Sequence, residues 1–478
     1  MRKLIRFIVA FAALAVSMPT EGVLAQSPLA GRWDGGISIM SSQLAIAVAI
    51  TPDGTAYKGT IDIPQQNAVG LPLKTVTVDG AKVHMELAAG PGLAVFDGEL
   101  KGDVISGKFE QAGIAGTFEL KRSTTPAVAA PAALAPEPPP PYKVEEVKYP
   151  SGAVTLAGTL TIPPSNGPHP AVVLITGSGA QNRDEEIFGF KVFRVIADHL
   201  TRNGIAVLRV DDRGVGGSTG NTSQSTTADF ADDVLAGVRM LQARPDIDGK
   251  RIGLMGHSEG GLVAPIVAAR APDVAFIVMM SGPGLTGEKI LSSQAELIGR
   301  AAGRTDDDLK RNRAIQLKLF DAVRTGTGWD EAEAMIRTEI KTSLDAMTDA
   351  QRKAVGDAEK LAATQVAGQM AMVKAPWFKY FLDLDPAVAL AKVRCPTLVL
   401  FGEHDLQVEA GPNRAAVEDV FRKSGFTKYR IDVFPRANHL YQDSPTGSVA
   451  EYASLKKEFV PGFLGTVTSW ITEQVGRK

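Results

Sequence analysis

The chain has 478 residues and a formal charge of −2, with 44% hydrophobic and 22% charged residues. That length allows a large buried core and more than one domain. The near-balance of charge gives no basic field for nucleic acid, so no nucleic-acid partner is expected.

In chain order, Arg2, Lys3 and Arg6 precede an apolar run, Phe7 to Val16, which is too short to span a bilayer comfortably. Val23-Leu24-Ala25 then supplies the residues a signal peptidase reads. The pattern predicts a signal peptide over residues 1–25, cleaved after Ala25, and a periplasmic or secreted protein. No later stretch is long and apolar enough for a transmembrane helix, so no membrane span is expected after signal cleavage. The single cysteine, Cys395, allows no internal disulfide, so an exported fold must hold by burial. Cys395 stands beside the apolar run "PTLVLFG" and reads as a small buried hydrophobe.

Residues 27–122 read as a small β-barrel-like domain. Segments such as "AIAVAIT", "KTVTVDG" and "KVHMEL" are short, often alternate, and are separated by Gly, Asp and Pro turns. "GRWDGGI" should open the first strand. Its Gly31-x-Trp33-x-Gly35 weakly resembles small lipocalin-like or barrel modules attached to secreted hydrolases. His84 is expected to be a satisfied structural histidine, and the pattern names no partner for this domain.

Residues 123–142, "STTPAVAAPAALAPEPPPPY", are dominated by proline and alanine. They cannot bury a core and predict an extended linker. Residues 143–478 change character. "VEEVKYP" and "VTLAGTLTIP" suggest an antiparallel pair. Short apolar runs then alternate with helical stretches such as "DFADDVLAGVRML", in which Phe230, Val234, Val238 and Leu241 share a face. Such alternation predicts an α/β fold with a mostly parallel sheet covered on both faces. Between two predicted sheet strands, residues from about 285 to 391 are helical and charged, and read as a helical cap.

In open α/β sheets, ligands bind beyond the carboxyl ends of the strands. The strand "RIGLM" runs into Gly256-His257-Ser258-Glu259-Gly260, and "GGLVAPIVAARA" continues as a helix. A serine on a sharp strand-to-helix turn is the setting in which Gly-x-Ser-x-Gly holds a nucleophile. Its hydroxyl needs a base, and the base an orienting acid. Asp405 follows the strand "LVLFG" and His439 follows the last strand, which predicts a triad of Ser258, Asp405 and His439. Glu403 is the rival acid. His257, His404, His169 and His199 read as structural, with the His257 side chain pointing away from the base position. For the oxyanion, the backbone amide of Glu259 and a donor from Ser178, in the glycine-rich loop "LITGSGAQNRDE", are the candidates.

Taken together, "ITGSGAQNRDE", "RVDDRGVGGSTG", "GLMGHSEGGLVAP", "LVLFGEHDLQV" and "ANHLYQ" resemble the α/β-hydrolase superfamily, nearest to secreted bacterial serine esterases and the S33/S9 peptidase-like branch. The resemblance covers residues 143–478 and implies Ser258 as nucleophile, Asp405 as acid, His439 as base, and Ser178 with Glu259 as oxyanion donors. The loop from Asp212 to Ser218 matches a recurring structural loop of the family. Where many relatives have His-Gly in the oxyanion loop, this chain has Thr176-Gly177. No cofactor is implied, and nothing has the ligand spacing of a zinc or calcium site.

Three functions follow. The first is an esterase or thioesterase acting on a small-molecule acyl ester. The second is a peptidase or amidase using the same triad, for which a carboxylate pair such as Asp383 and Asp385 would have to hold the substrate amine. The third is a non-catalytic binding protein anchored by its β-domain, against which the intact triad argues.

Overall fold

The computed structural model describes residues 29–123 apart from 40–41, 55, 64–67, 89–92 and 112–113, then residues 139–345 and 358–476. The expected signal peptide and residues 124–138 of the expected linker lie outside the described residues.

The N-terminal part is one antiparallel sheet of nine strands. These are β1 (Gly31–Ile39), β2 (Ser42–Asp53), β3 (Ala56–Ile63), β4 (Ala68–Pro72), β5 (Thr75–Asp79), β6 (Lys82–Ala88), β7 (Leu93–Lys101), β8 (Val104–Gln111) and β9 (Ile114–Arg122). Neighbours in sequence pair except β4 and β5, which stand at the two ends of the order, and β1 pairs with β9 to join two meanders. Alternate side chains turn inward and fill the curl of this half-barrel. Phe96 packs edge-on against Phe118 at 5.3 Å. The indole of Trp33 donates to Leu29 O at 3.0 Å, with the Arg122 guanidinium 4.2 Å from its ring centre. His84 finds its partners at the surface, where Asp97 lies 2.6 Å from its Nδ1 and Glu86 is close by.

The second part is a sheet of eight strands: β10 (Lys143–Ser151), β11 (Val154–Ile162), β12 (His169–Ile175), β15 (Ala206–Val210), β16 (Ile247–His257), β17 (Ile277–Met280), β18 (Thr397–Gly402) and β19 (Tyr429–Phe434). A separate two-strand hairpin, β13 (Glu186–Ile187) and β14 (Phe190–Lys191), follows β12. The order is β10-β11-β15-β12-β16-β17-β18-β19. The β10–β11 and β11–β15 pairs are antiparallel and the remainder parallel. On β12, Ala171, Val173 and Ile175 enter one core while Val172 and Leu174 enter the other. That two-sided burial is why these strands read as unbroken apolar runs.

Helices α1 (Val192–Arg202), α2 (Thr227–Gln242) and α3 (Glu259–Arg270) connect the central strands. Helix α2 begins with a capping box, Thr226 and Asp229 each bonding the other's backbone amide. It buries Val234, Val238 and Leu241 as its spacing predicts, with Phe230 packed beside them. Between β17 and β18 come the cap helices α4 (Gly287–Ala301), α5 (Asp306–Thr325), α6 (Trp329–Asp345), α7 (Ala358–Lys374), α8 (Pro376–Leu382) and α9 (Pro386–Leu390). They have a core of their own, built on residues such as Phe320, Ile336 and Phe378. A smaller cluster, Leu262 of α3 with Ile290 and Phe381, ties the cap to the helix that follows Ser258. Helices α10 (Ala410–Ser424) and α11 (Phe463–Val475) complete the two covering layers. Among the described residues no helix is long and apolar enough to cross a membrane.

One buried hydroxyl joins the ends of the strands that carry the site. Tyr441 donates to Leu400 O on β18 and accepts from the Ser281 amide just after β17, each at 2.8 Å. The Ser281 amide also bonds Leu400 O directly at 2.8 Å, so Tyr441→Phe should remove the hydroxyl's bonds without orphaning either backbone group, at a cost of about 0.5–1.5 kcal/mol. A lower unfolding midpoint in scanning calorimetry, with reduced turnover, is the expected result.

Candidate active site

Strand β16 ends at His257 and α3 begins at Glu259, so Ser258 occupies the turn. It has φ 54° and ψ −117°, a conformation that side chains other than glycine rarely adopt. The neighbouring glycines explain how it is held. A Cβ at Gly256 would lie 2.0 Å from Gly260 O, and one at Gly260 would lie 2.1 Å from Ile175 O. A Cβ at Gly261 would lie 2.5 Å from the Cα of Gly282. Strand, helix and the adjoining strand ends therefore touch at backbone distance, and the serine is pushed outward. As the first residue of α3, Glu259 keeps one of the amides that a helix leaves unbonded, at its positive end.

Asp405 and His439 come from the loops after β18 and β19. Their contact is Nδ1 to Oδ2 at 2.8 Å, and both side chains are buried. The other Asp405 oxygen accepts from the amides of Gln407 and Val408. Burial alone would push this carboxyl up; the His439 ring, the Val408 amide and Ser281 more than offset it and hold the group below its ordinary value. An ionised Asp405 fixes the Nδ1–H tautomer and leaves Nε2 with its lone pair. Glu403, the rival acid, is exposed and accepts from the Arg436 amide. His404 bonds Ser444 O.

The loop after β12 brings Gly177 against Ser258, close enough that a Cβ there would sit 3.3 Å from Ser258 Cβ. The Gly177 amide is already taken by Glu185 Oε1 at 2.8 Å. The next residue, Ser178, lines the same cavity, and its side chain helps draw the Glu259 carboxyl down against burial. Asp211 and Asp212, at the end of β15, brace this loop. Asp212 accepts from the Thr176 hydroxyl and the Gln181 amide, and Asp211 pairs with Arg183 at 2.7 Å.

Ser258, Gly177, Ser178, Glu259 and His439 share the wall of a cavity of about 350 Å³. One side is apolar cap and cap junction: Pro283, Ile290, Leu291, Trp377 and Phe381. The other has Ile187, Phe188, Leu440, Val449 and Tyr452. Gln294 of the cap donates to Gln407 beside the acid. The formal charges in the wall are carboxylates, Glu185 and Glu259. Among the described residues, no group of three or more His, Cys, Asp or Glu side chains is placed to hold a metal ion.

Two sequence expectations need correction. The His257 ring does not point away from the base: its centre lies 4.6 Å from that of His439, because Nε2 bonds His439 O. Asp383 and Asp385 do not form an amine-holding pair. Asp383 pairs with Arg324, and Asp385 caps α9 through the Ala387 amide. Of the other residues weighed, His169 opens β12, His199 lies in α1, and Cys395 packs against the core, where burial pushes its thiol up to about 11. Three site residues were not legible: Glu185, Asp212 as a brace, and Trp377. The Trp377 indole donates to both Glu259 oxygens, at 2.8 and 2.9 Å. Thr227 adds a third bond at 2.6 Å, and burial still raises the Glu259 carboxyl above its ordinary range.

The alpha/beta hydrolase family model matches residues 172–452, more than half of the chain. The chain is 28% identical over 288 residues to the esterase EstD of Thermotoga maritima, covering 60% of this chain and 58% of that esterase's length. Among solved structures it is similar to the proline iminopeptidase of Mycobacterium smegmatis, at 18% identity and a TM-score of 0.43, covering 69% of this chain and 98% of that one. It is also similar to the Pyrococcus furiosus esterase Pf2001, at 16% identity and a TM-score of 0.42, covering 70% and 91%.

Burial, reinforced by the nearby Glu185 and Glu259 charges and opposed by the Thr176 and Gln181 bonds, pushes the Asp212 carboxyl up to about 8. In the unfolded chain it titrates near about 3.9. Between those values the folded chain holds the extra proton, so this group's contribution to stability falls as pH rises. Asp212→Asn, which cannot ionise, should flatten that slope. Urea unfolding across this pH range is the measurement, and an unchanged slope would refute the assignment.

Proposed function

The chain belongs to the alpha/beta hydrolase family, and we propose that it is an exported serine esterase that cleaves small carboxylic esters or thioesters through an acyl-enzyme on Ser258. The observation that carries this reading is the 2.8 Å contact of buried Asp405 with His439, in the wall that also holds Ser258. His439 Nε2 takes the Ser258 hydroxyl proton as Oγ attacks the ester carbonyl. The amides of Glu259 and Ser178 receive the oxyanion. The ester C–O bond then breaks, and the proton on His439 goes to the departing alkoxide. Water repeats the sequence, releasing the acid and restoring the Ser258 hydroxyl.

The cavity wall supports an uncharged substrate with apolar groups on either side of the ester. Among the described residues its lining holds no Lys or Arg side chain that would pair with an anionic one. The peptidase reading uses the same triad. It is the weaker reading because both expected amine-holding aspartates are occupied in the cap. Export rests on the basic and then apolar residues 1–25.

Ser258→Ala should abolish hydrolysis of p-nitrophenyl acyl esters without changing the circular dichroism spectrum. Asp405→Asn should lower kcat on the order of 10⁴-fold, the cost of the wrong imidazole tautomer. Turnover surviving in the serine variant would refute the mechanism. Across a substrate panel, kcat/KM for neutral acyl esters should exceed that for hemisuccinate esters roughly tenfold or more. Comparable rates on aminoacyl amides would favour the peptidase. Amino-terminal sequencing of the exported protein should begin at Gln26.

A further inference from the structure

Glu185 and His257 are buried side chains at the active site for which the mechanism above has no use. His257 Nδ1 lies 2.9 Å from Glu185 Oε1, and His257 Nε2 lies 2.9 Å from the carbonyl oxygen of His439. A carbonyl only accepts, so Nε2 carries a hydrogen. Glu185 Oε1 also receives the Gly177 amide at 2.8 Å, so that oxygen is acting as an acceptor. A carboxylate oxygen that takes two donors at once, the Gly177 amide and Nδ1–H, makes both bonds in their stronger, charge-assisted form. Nδ1 therefore donates as well.

Resting on the esterase reading, we infer that His257 is a permanent imidazolium, paired with ionised Glu185, and that the pair is a positioning device for the oxyanion loop and the His439 loop. Two loops and a strand end meet in it. Glu185 occupies the Gly177 amide, which leaves the Ser178 amide as the loop's free donor for the oxyanion. His257 belongs to the strand that delivers Ser258, and its Nε2–H fixes the backbone of His439. The backbone of Glu185 has φ 45°, a conformation kept where the surroundings over-determine it. Burial works against the charge on His257, and Glu185 first, then the His439 carbonyl, then Asp405, work for it, with a net rise above the ordinary imidazole range. The ionisable groups around the pair are Asp405 and His439 on the ring side, with Asp212 and Glu259 beyond Glu185.

The test begins with the native enzyme. With ¹⁵N-labelled histidine, both ring nitrogens of His257 should show protonated shifts at about pH 8, where an unperturbed imidazole, near about 6.5, is neutral. A neutral tautomer there would overturn the inference. Glu185→Gln keeps the shape and removes the charge. It should convert His257 to the neutral form and lower kcat roughly tenfold or more, with KM changed by less than about threefold. Native kcat in that variant would overturn the positioning role. A fluorophosphonate probe that fails to label Ser258 would instead sink the esterase reading, while the nitrogen shifts of His257 would still report the pair.

Discussion

The site depends on one close approach of backbone to backbone. Gly256, Gly260 and Gly261 let β16, α3 and the ends of β12 and β17 meet with no side chain between them. A serine at the apex of that contact has nowhere to go but outward, in a left-handed conformation it would not choose alone. The buried strands on both sides supply the packing that holds it there. Because the turn is rigid, its partners need only be brought to it, and each arrives on a short loop from a strand end.

Bringing them together places three carboxyl groups around the loop that the proposed mechanism uses to hold the oxyanion. Ionised together they would oppose the oxyanion, since a donor site works only where the local field favours the charge that develops. Each is dealt with differently. Glu185 faces an imidazole, Asp212 is buried to the point of holding its proton near neutrality, and Glu259 is wrapped by Thr227, Trp377 and Ser178. Trp377 brings the cap into this arrangement, so the roof of the cavity and the residue after the nucleophile are joined directly.

The elements legible in the sequence were those written in local pattern. Strand runs in β12, β16 and β18, the stripe of α2 and the Gly-Ser-Gly turn depend on residues within a dozen positions of one another. The resemblance to a known family then gave the strand ends their roles. Contacts between distant loops were not legible. Glu185 sits in a polar run, "NRDEE", where nothing separates it from Asp184 or Glu186, and only the fold shows which carboxylate turns inward. The His257 ring was expected to point away from the base, because its position on the strand says nothing of the carbonyl that captures it. Trp377 gave no signal, since an aromatic residue in an amphipathic helix reads as core.

The order of the chain has a consequence for how the molecule comes into being. In the β-module almost every strand pairs with its neighbour in sequence, so it can close as soon as β9 is made. The nucleophile turn comes later, and the whole cap separates it from Asp405 and His439. His439 and α11, which packs in the core next to the His439 loop, follow the cap in sequence. With Ser258 as the proposed nucleophile and His439 as its proposed base, a chain made only through the cap carries the serine without the group that would deprotonate it. Reactivity then waits for the elements that follow β19.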